Sequence, residues 1–561
     1  MSASRQPSEA CAAPEMTFRK AVPEYGRIYT FDVLNLGAYY CAAGPALALY
    51  IKYLGGSPTF MGLVMACMPA CQLTQLFVAP HLERWGIKRT MFASLALRNA
   101  LHTVLAILPF LAGWLIGANP LAMTEAGPGG FFGRPGATIL LVLFFVMLGF
   151  DLSQGIGFSG WMTWVTWLVP EKFRGRYFAF EQMMNNLGQM VFSGVAGWIL
   201  GDQGTHGNYG SIFAIGAVCG WLSLFFLGRI TASPRKVDPS AAHALNFSWM
   251  KGVWQIVAFR RMMYVIWAHQ LMLSVGYFFV FFQKDVLHLT DSFLMAMTTV
   301  GIAGGFLSVY VWGNLADRFG SKPVMALAYY LVLATTAYWV ALALGLPLYQ
   351  KPLLMLVQFL SVAGLQGYVV TNMRYVLGSL PKEKVVFGTV FYNLTVQIST
   401  MFGAMLWGRV LDLSFIQNIH MTFDGLRIDR FAVVFGCMLL LATVARMLMQ
   451  RMENRESQAT SFQVGWYALH NDRVTRKMFA YALFGFAALP ISYVFQPHAV
   501  RQILDVGSYS LGILQGSVDL GLPPELNLHW QGAFYATLAV MLLACTWLCY
   551  HRHQRRLAYT E

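Results

Sequence analysis

Ionisable side chains stand inside long apolar runs of this chain: Asp32, Arg98, Asp151, Glu181, His269 and Arg374. Charge in a hydrocarbon layer is costly, and residues of this kind point to handling of a solute or an ion. Asp151, near the middle of its run, is the best placed to carry a proton, because a low-dielectric site penalises the ionised carboxyl. The competing reading is a hydrogen-bonded structural acid beside Gln154. For Asp32 and Glu181, pairing with basic residues at the run ends is the stronger reading, with proton carriage second. His269, next to Gln270, is either a titrating group or, the stronger reading, a helix-packing imidazole. Arg98 and Arg374 each offer a flat fork suited to carboxylate or phosphate, or neutralise a neighbouring acid.

Amides and aromatics form a second layer. Asn35 and Tyr39 lie in one run, Gln154, Trp161 and Trp164 in another, and Asn186 and Gln189 in a third. Gln270 and Tyr277, then Gln366 and Asn372, then Asn393 and Gln397 follow further on. Asn186, Gln189 and Ser193 share one helix face by spacing, as do Asn393 and Gln397. Lipid would penalise such stripes, so they are expected to face inward, either bonding neighbouring helices or lining a wet cavity. Amide forks beside flat aromatic faces suit a polyhydroxylated or otherwise polar organic solute.

Positioning these groups falls to helices that cross a membrane. Hydrophobic residues make up 57% of the 561 residues and charged residues 11%, against roughly 25% charged in soluble proteins. Runs of about 20 apolar residues recur, each long enough to span a bilayer. They fall at 29–51, 58–80, 90–115, 138–168, 177–200, 211–230, 262–284, 291–313, 323–345, 352–379, 386–412 and 430–450, numbered here spans 1 to 12. Weaker runs follow at 478–495, which contains Pro490 and is either a full span or re-entrant, and at 531–550. A soluble enzyme, a disordered scaffold and a disulfide-stapled secreted protein are excluded.

The net charge is +14, and its placement matters more than its size. With spans crossing alternately, the clusters Arg84/Lys88/Arg89, Lys172/Arg174/Arg176, Arg229 to Arg261 and Arg473/Arg476/Lys477 fall on one side. That is the positive-inside pattern, with both termini cytoplasmic; contact with anionic lipid accounts for the charge and nucleic acid is not expected. The first 27 residues lack an apolar signal core and read as a disordered cytoplasmic tail. Cys67/Cys71 and Cys545/Cys549 have no His or carboxylate at ligand spacing, so packing outweighs metal binding. No P-loop, zinc-protease motif or other catalytic constellation is present, and no cofactor is expected.

A repeat divides the chain. Gly313-Asn-Leu-Ala-Asp317-Arg318-Phe-Gly320-Ser-Lys322 follows span 8. Ala79-Pro-His-Leu-Glu83-Arg84-Trp-Gly86-Ile-Lys88 follows span 2, at an offset of 234 residues. A second pair, Pro170 to Arg176 and Pro381 to Lys384, follows spans 4 and 10. At these residues the chain resembles the major facilitator superfamily of secondary transporters, whose inner-loop signature is G-x-L-A-D-R-x-G-R-K. Ser321 replaces the Arg of that signature, and Ala79 and Glu83 replace its Gly and Asp in the first copy. The resemblance covers about residues 29–450.

That resemblance implies an all-α fold of two pseudo-symmetric six-helix bundles, residues 28–230 and 262–450, joined by a cytoplasmic linker at 231–261. It also implies a solute site between them. Asp317 and Arg318 would latch against the start of span 5 near Arg174 and Arg176, and Glu83 and Arg84 against the start of span 11 near Lys384. The glycines of the motif would allow close approach and tight turns. Residues 451–561 are an addition: an amphipathic segment at 461–478, like the one at 247–261, then two further membrane helices, with a protein partner as one option for their role. The function expected is alternating-access transport of a small polar solute, sugar-like or an organic anion, across the plasma (inner) membrane, with proton coupling left open. Two alternatives stand beside it: an exporter or flippase of lipophilic compounds, and a non-transporting assembly factor or receptor.

Overall fold

The structure is a computed structural model that describes residues 18–116, 135–161, 164, 171–230, 248–381, 384–419, 421–423, 426–453 and 459–470. The weak runs at 478–495 and 531–550 and most of the 231–261 linker lie outside the described residues. All twelve spans form as helices. Span 1 is Phe18–Ala43 continued by Pro45–Tyr53, and span 2 is Pro58–Gln72 continued by Gln75–Trp85. Spans 3 to 6 are Ile87–Ile116, Pro135–Phe158, Glu171–Leu200 and His206–Arg229. Span 7 runs Val257–Ser274, a 3-10 turn at Val275–Phe278, then Phe279–Asp285; spans 8 to 12 are Asp291–Phe319, Ser321–Ala343, Lys351–Ser379, Val385–Asp412 and Arg430–Gln450. Nine of the described helices are long and apolar enough to cross a membrane.

Helix starts follow local chemistry. Ser57 and Thr290 open spans 2 and 8 by accepting from Phe60 N–H (3.2 Å) and Phe293 N–H (3.4 Å). These are N-cap bonds that satisfy orphan donors. Asp429 does the same for span 12 through Phe431 and Ala432 N–H. The turns after spans 2 and 8 depend on Gly86 (φ 85°) and Gly320 (φ 80°), in the left-handed region that a side chain disfavours. Between spans 11 and 12 a small antiparallel hairpin pairs Met421–Phe423 with Leu426–Ile428, Met421 opposite Ile428.

Neighbour relations repeat between the halves. Span 1 packs on spans 5 and 6, span 3 on 4 and 6, and span 2 on 4; span 7 packs on 11 and 12, span 9 on 10 and 12, and span 8 on 10. The halves meet through span 2 against span 11 and span 5 against span 8. That arrangement is two six-helix bundles related by a pseudo-twofold, each with an apolar interior.

Several expectations need correction. Residues 18–27 are the start of span 1 rather than part of a disordered tail, because helix continues past the apolar run wherever water can satisfy its surface. Span 4 ends as regular helix at Phe158, and Ser159-Gly160 turns the chain before Trp161. A Cβ at Gly313 would meet nothing within 4 Å, so that glycine makes no close helix approach. The described part of the amphipathic segment after span 12 is the helix Ser461–His470, and 471–478 lie outside the described residues. That helix buries Val464 and Ala468 against Trp312, Leu315 and Val324 while Phe462 and Trp466 stay exposed.

Candidate functional site

The first bundle holds a buried polar cluster. Arg98, fully buried in span 3, donates to Gln154 Oε1 of span 4 (2.7 Å) and, from Nε and a terminal nitrogen, to Asn99 Oδ1 (3.2 and 2.8 Å). Asn99 in turn donates to the Gly220 carbonyl of span 6 at 2.7 Å. The guanidinium lies 5.7 Å from the centre of the Phe150 ring. One turn on, buried His102 meets Phe150 edge-on. Asp151, one residue past that ring, is buried with Oδ1 lacking a hydrogen-bond partner among the described residues. Tyr39 of span 1 stacks on Phe150 at 6.0 Å and lies within electrostatic reach of Asp151, Arg98 and Tyr277. Tyr277 belongs to the 3-10 break in span 7, so the second bundle offers its one irregular stretch of that span to this cluster. Among described residues no ion pair joins Arg98 to an acid, so a buried cation and a buried acid share the region with amides as immediate partners.

Nearer the motif turns, Asp32 of span 1 and Glu181 of span 5 lie within electrostatic reach of each other, and Asp32 Oδ2 is buried with no hydrogen-bond partner among the described residues. Asn35 is buried one turn from Asp32. Trp164 is fully buried against Trp161. Asn186 is buried and accepts from Gln182 at 3.3 Å, while Gln189 is half-buried.

The second bundle is less concentrated. His269 lies 3.9 Å from the Tyr368 ring and 3.3 Å from Tyr329 Oη, a packed aromatic knot. Asn372 bridges spans 10 and 11 by donating to Tyr392 Oη at 3.0 Å. Gln270, Gln366 and Gln397 are half-buried, and Asn393 is exposed rather than packed. Spacing groups Asn393 with Gln397, but which neighbour covers each end of a stripe is a tertiary matter. Arg374 pairs with Asp317 and is more than one-third exposed.

Among the described side chains, the contacts of the repeated motif stay within each half of the chain. Asp317 is bound within its own bundle by Arg374, and Arg318 donates to Tyr467 Oη of the 461–470 helix, its guanidinium 4.1 Å from the centre of that ring. Lys384 donates to Gly252 O in the short helix Ser248–Trp254. The side chains of Glu83, Arg84, Arg174 and Arg176, where the partners were expected, lie outside the described ones. Lys88 instead donates to the carbonyls of Gly228 (3.1 Å) and Ile230 (2.5 Å) at the end of span 6. Lys322 does so to Gln450 (3.1 Å) and Met452 at the end of span 12. Arg27 and Arg261, also 234 apart, take the remaining carbonyls of Arg229 and Arg451 at 3.0 and 2.9 Å.

On the face opposite the motif turns the bundles are bound together. Lys52 pairs with Asp285 at 2.6 Å, and Thr59 N–H donates to Asp412 Oδ2 at 2.6 Å. Gly204 N–H (2.8 Å) and Tyr209 Oη (3.2 Å) donate to Asp291 Oδ2, and Ser193 Oγ donates to Met295 O at 3.2 Å. None of Asn99, His102, Asp285, Asp291, Asp412 or Tyr467 was singled out from the sequence. The spacing of His102 four residues after Arg98 was the one usable signal.

Duplicated bundles around buried polar groups, packed together at one face, define an integral membrane transporter. The profile of the Major Facilitator Superfamily matches residues 33–404 and 284–524, and the chain belongs to that family. No curated protein sequence matches. Among solved structures, a D-xylose-proton symporter is similar at TM-score 0.58 and 15% identity over 78% of this chain and 100% of its own. The inward open xylose transporter XylE from E. coli is similar at TM-score 0.56 and 12% identity, over 80% of this chain and 99% of its own. A bacterial homologue of the iron transporter ferroportin, in its inward-facing state, aligns at 0.55 and 13% identity over 77% and 99%. At these identities the likeness is one of fold.

Proposed function

We propose that this protein moves a small polar organic solute across the plasma (inner) membrane by alternating access, with the motif turns on the cytoplasmic side and the opposite face closed. The observation that carries this reading is the Arg98–Asn99–Gln154 network with Asp151 and Tyr39, set opposite the broken stretch of span 7. Buried polar groups are expensive in a membrane protein and are retained where a solute or ion path needs them. Amide and phenol groups around a guanidinium suit a hydroxylated or anionic solute better than a lipophilic one. The neighbouring carboxyls of Asp32 and Glu181 are the residues to test first for coupling to a proton gradient. The xylose-proton symporter named above is in keeping with a sugar-like solute and proton coupling. Uptake of a pentose, a nucleoside and a mono-carboxylate into proteoliposomes, with and without an imposed pH gradient, tests the reading. Saturable uptake of one of these, accelerated by the gradient, is expected. Movement of a fluorescent lipid with no polar-solute uptake would overturn it.

A further inference from the structure

We infer that the closed face is held by a lock of three carboxylates, all contributed by the second bundle, with Asp291 as its central positioning residue. Asp285 ends span 7, Asp291 begins span 8 and Asp412 ends span 11. Each grips a donor of the first bundle: Lys52, the Gly204 N–H with Tyr209, and the Thr59 N–H respectively. Asp291 differs from the other two in being buried; like Asp285, which holds Arg430 of its own bundle at 3.5 Å, it has one oxygen on its own bundle, on Lys284 at 2.7 Å, while the other crosses to the first. Its backbone N–H also crosses, to Asp202 O at 3.3 Å, and Ser292 N–H reaches Gly201 O at 2.9 Å.

This division of labour has a physical consequence. Charge-assisted bonds at a bundle interface are strong when water is excluded and are lost together when the interface opens. All three carboxylates stand on one bundle and the donors they accept from stand on the other, so opening the face breaks the three contacts together. Lys284 keeps the Asp291 carboxylate compensated, and this contact, within the second bundle, can persist when the face opens. The lock therefore biases the equilibrium between open and closed faces without belonging to the solute cluster around Arg98.

The inference rests on the alternating-access reading, but its test needs no solute. In the purified full-length chain carrying Ser193→Cys, reaction of the introduced thiol with a soluble maleimide is followed by site-resolved mass spectrometry. Ser193 is fully buried at the seam between the bundles. Native Cys41, buried within the first bundle, reports unfolding. Asp291→Ala is expected to raise the labelling rate of the seam thiol about tenfold, the order of a modest population shift, with Cys41 unchanged. Asp291→Asn, whose amide oxygen can still accept from Gly204 and Tyr209, should fall between the two. An unchanged seam-thiol rate in Asp291→Ala overturns the lock, and so does a parallel rise at Cys41. Absence of solute uptake would instead sink the transport reading and leave the labelling result standing.

Discussion

Lys88 and Lys322, 234 residues apart, end on the final carbonyls of the last helix in their respective bundles: Gly228 and Ile230 for one, Gln450 and Met452 for the other. The repeated motif thus ties its own turn to the end of the sixth helix of the same half. A cation there satisfies carbonyls that have no partner within the helix and meets the negative end of its dipole. These contacts join each motif turn to the end of the sixth helix within its own half.

Lys322→Met should therefore lower the stability of the second bundle by about 1 kcal/mol, the usual scale of a charge at a helix C-terminus. Lys88→Met should do the same in the first. The double variant should be additive in thermal unfolding followed in detergent, since the sites lie in separate bundles. A double variant no less stable than either single would show that the two braces are not independent.

Asp317 is largely exposed, and its pairing with Arg374 is a surface ion pair. Asp317→Asn should cost less than about 1 kcal/mol of stability and leave membrane insertion unchanged. Its effect is expected on the balance between the two open faces. Unchanged labelling from either side together with unchanged transport would count against a gating role.

Spans 2 and 11 cross where Gly62 and Gly408 face each other. A Cβ on Gly408 would stand 2.6 Å from the Pro58 carbonyl oxygen. Gly408→Val should hold this face apart and lower transport by at least about tenfold, a shift of roughly 1.4 kcal/mol in the equilibrium. Spin-label distances between spans 2 and 11 check the outcome, with a longer mean separation expected.

The 461–470 helix holds Arg318 through Tyr467. Tyr467→Ala removes a cation–π contact worth about 0.5–1 kcal/mol at an exposed site. Faster amide exchange confined to 461–470 is expected. Exchange rising equally across spans 8 and 9 would show that the helix supports the bundle itself.

Glu181→Gln removes one of the two neighbouring carboxyls of spans 1 and 5. If the pair carries the coupled proton, this variant should still bind solute while the dependence of uptake on the pH gradient disappears. A variant whose uptake still follows the gradient would move the coupling site elsewhere, with Asp151 the next candidate.

Much of the frame was legible along the chain. Span positions agree with the helices to within several residues, except that span 1 starts earlier and span 4 ends sooner, because burial of apolar surface in a bilayer is a property of a continuous local run. Gly86 and Gly320 could be placed at matching turns because a left-handed φ is a demand on one residue. Partner choice was not legible in this way. Asp317 goes to Arg374, Lys88 to Gly228 and Ile230, and Asp291 to Gly204 and Tyr209. Each contact joins different helices, and it depends on how segments remote in sequence settle against each other. Local composition decided where the twelve described span helices fall, in two matched halves. The packing of those halves decided which charges meet, because helix spacing sets a side chain's face but not the neighbour that covers it.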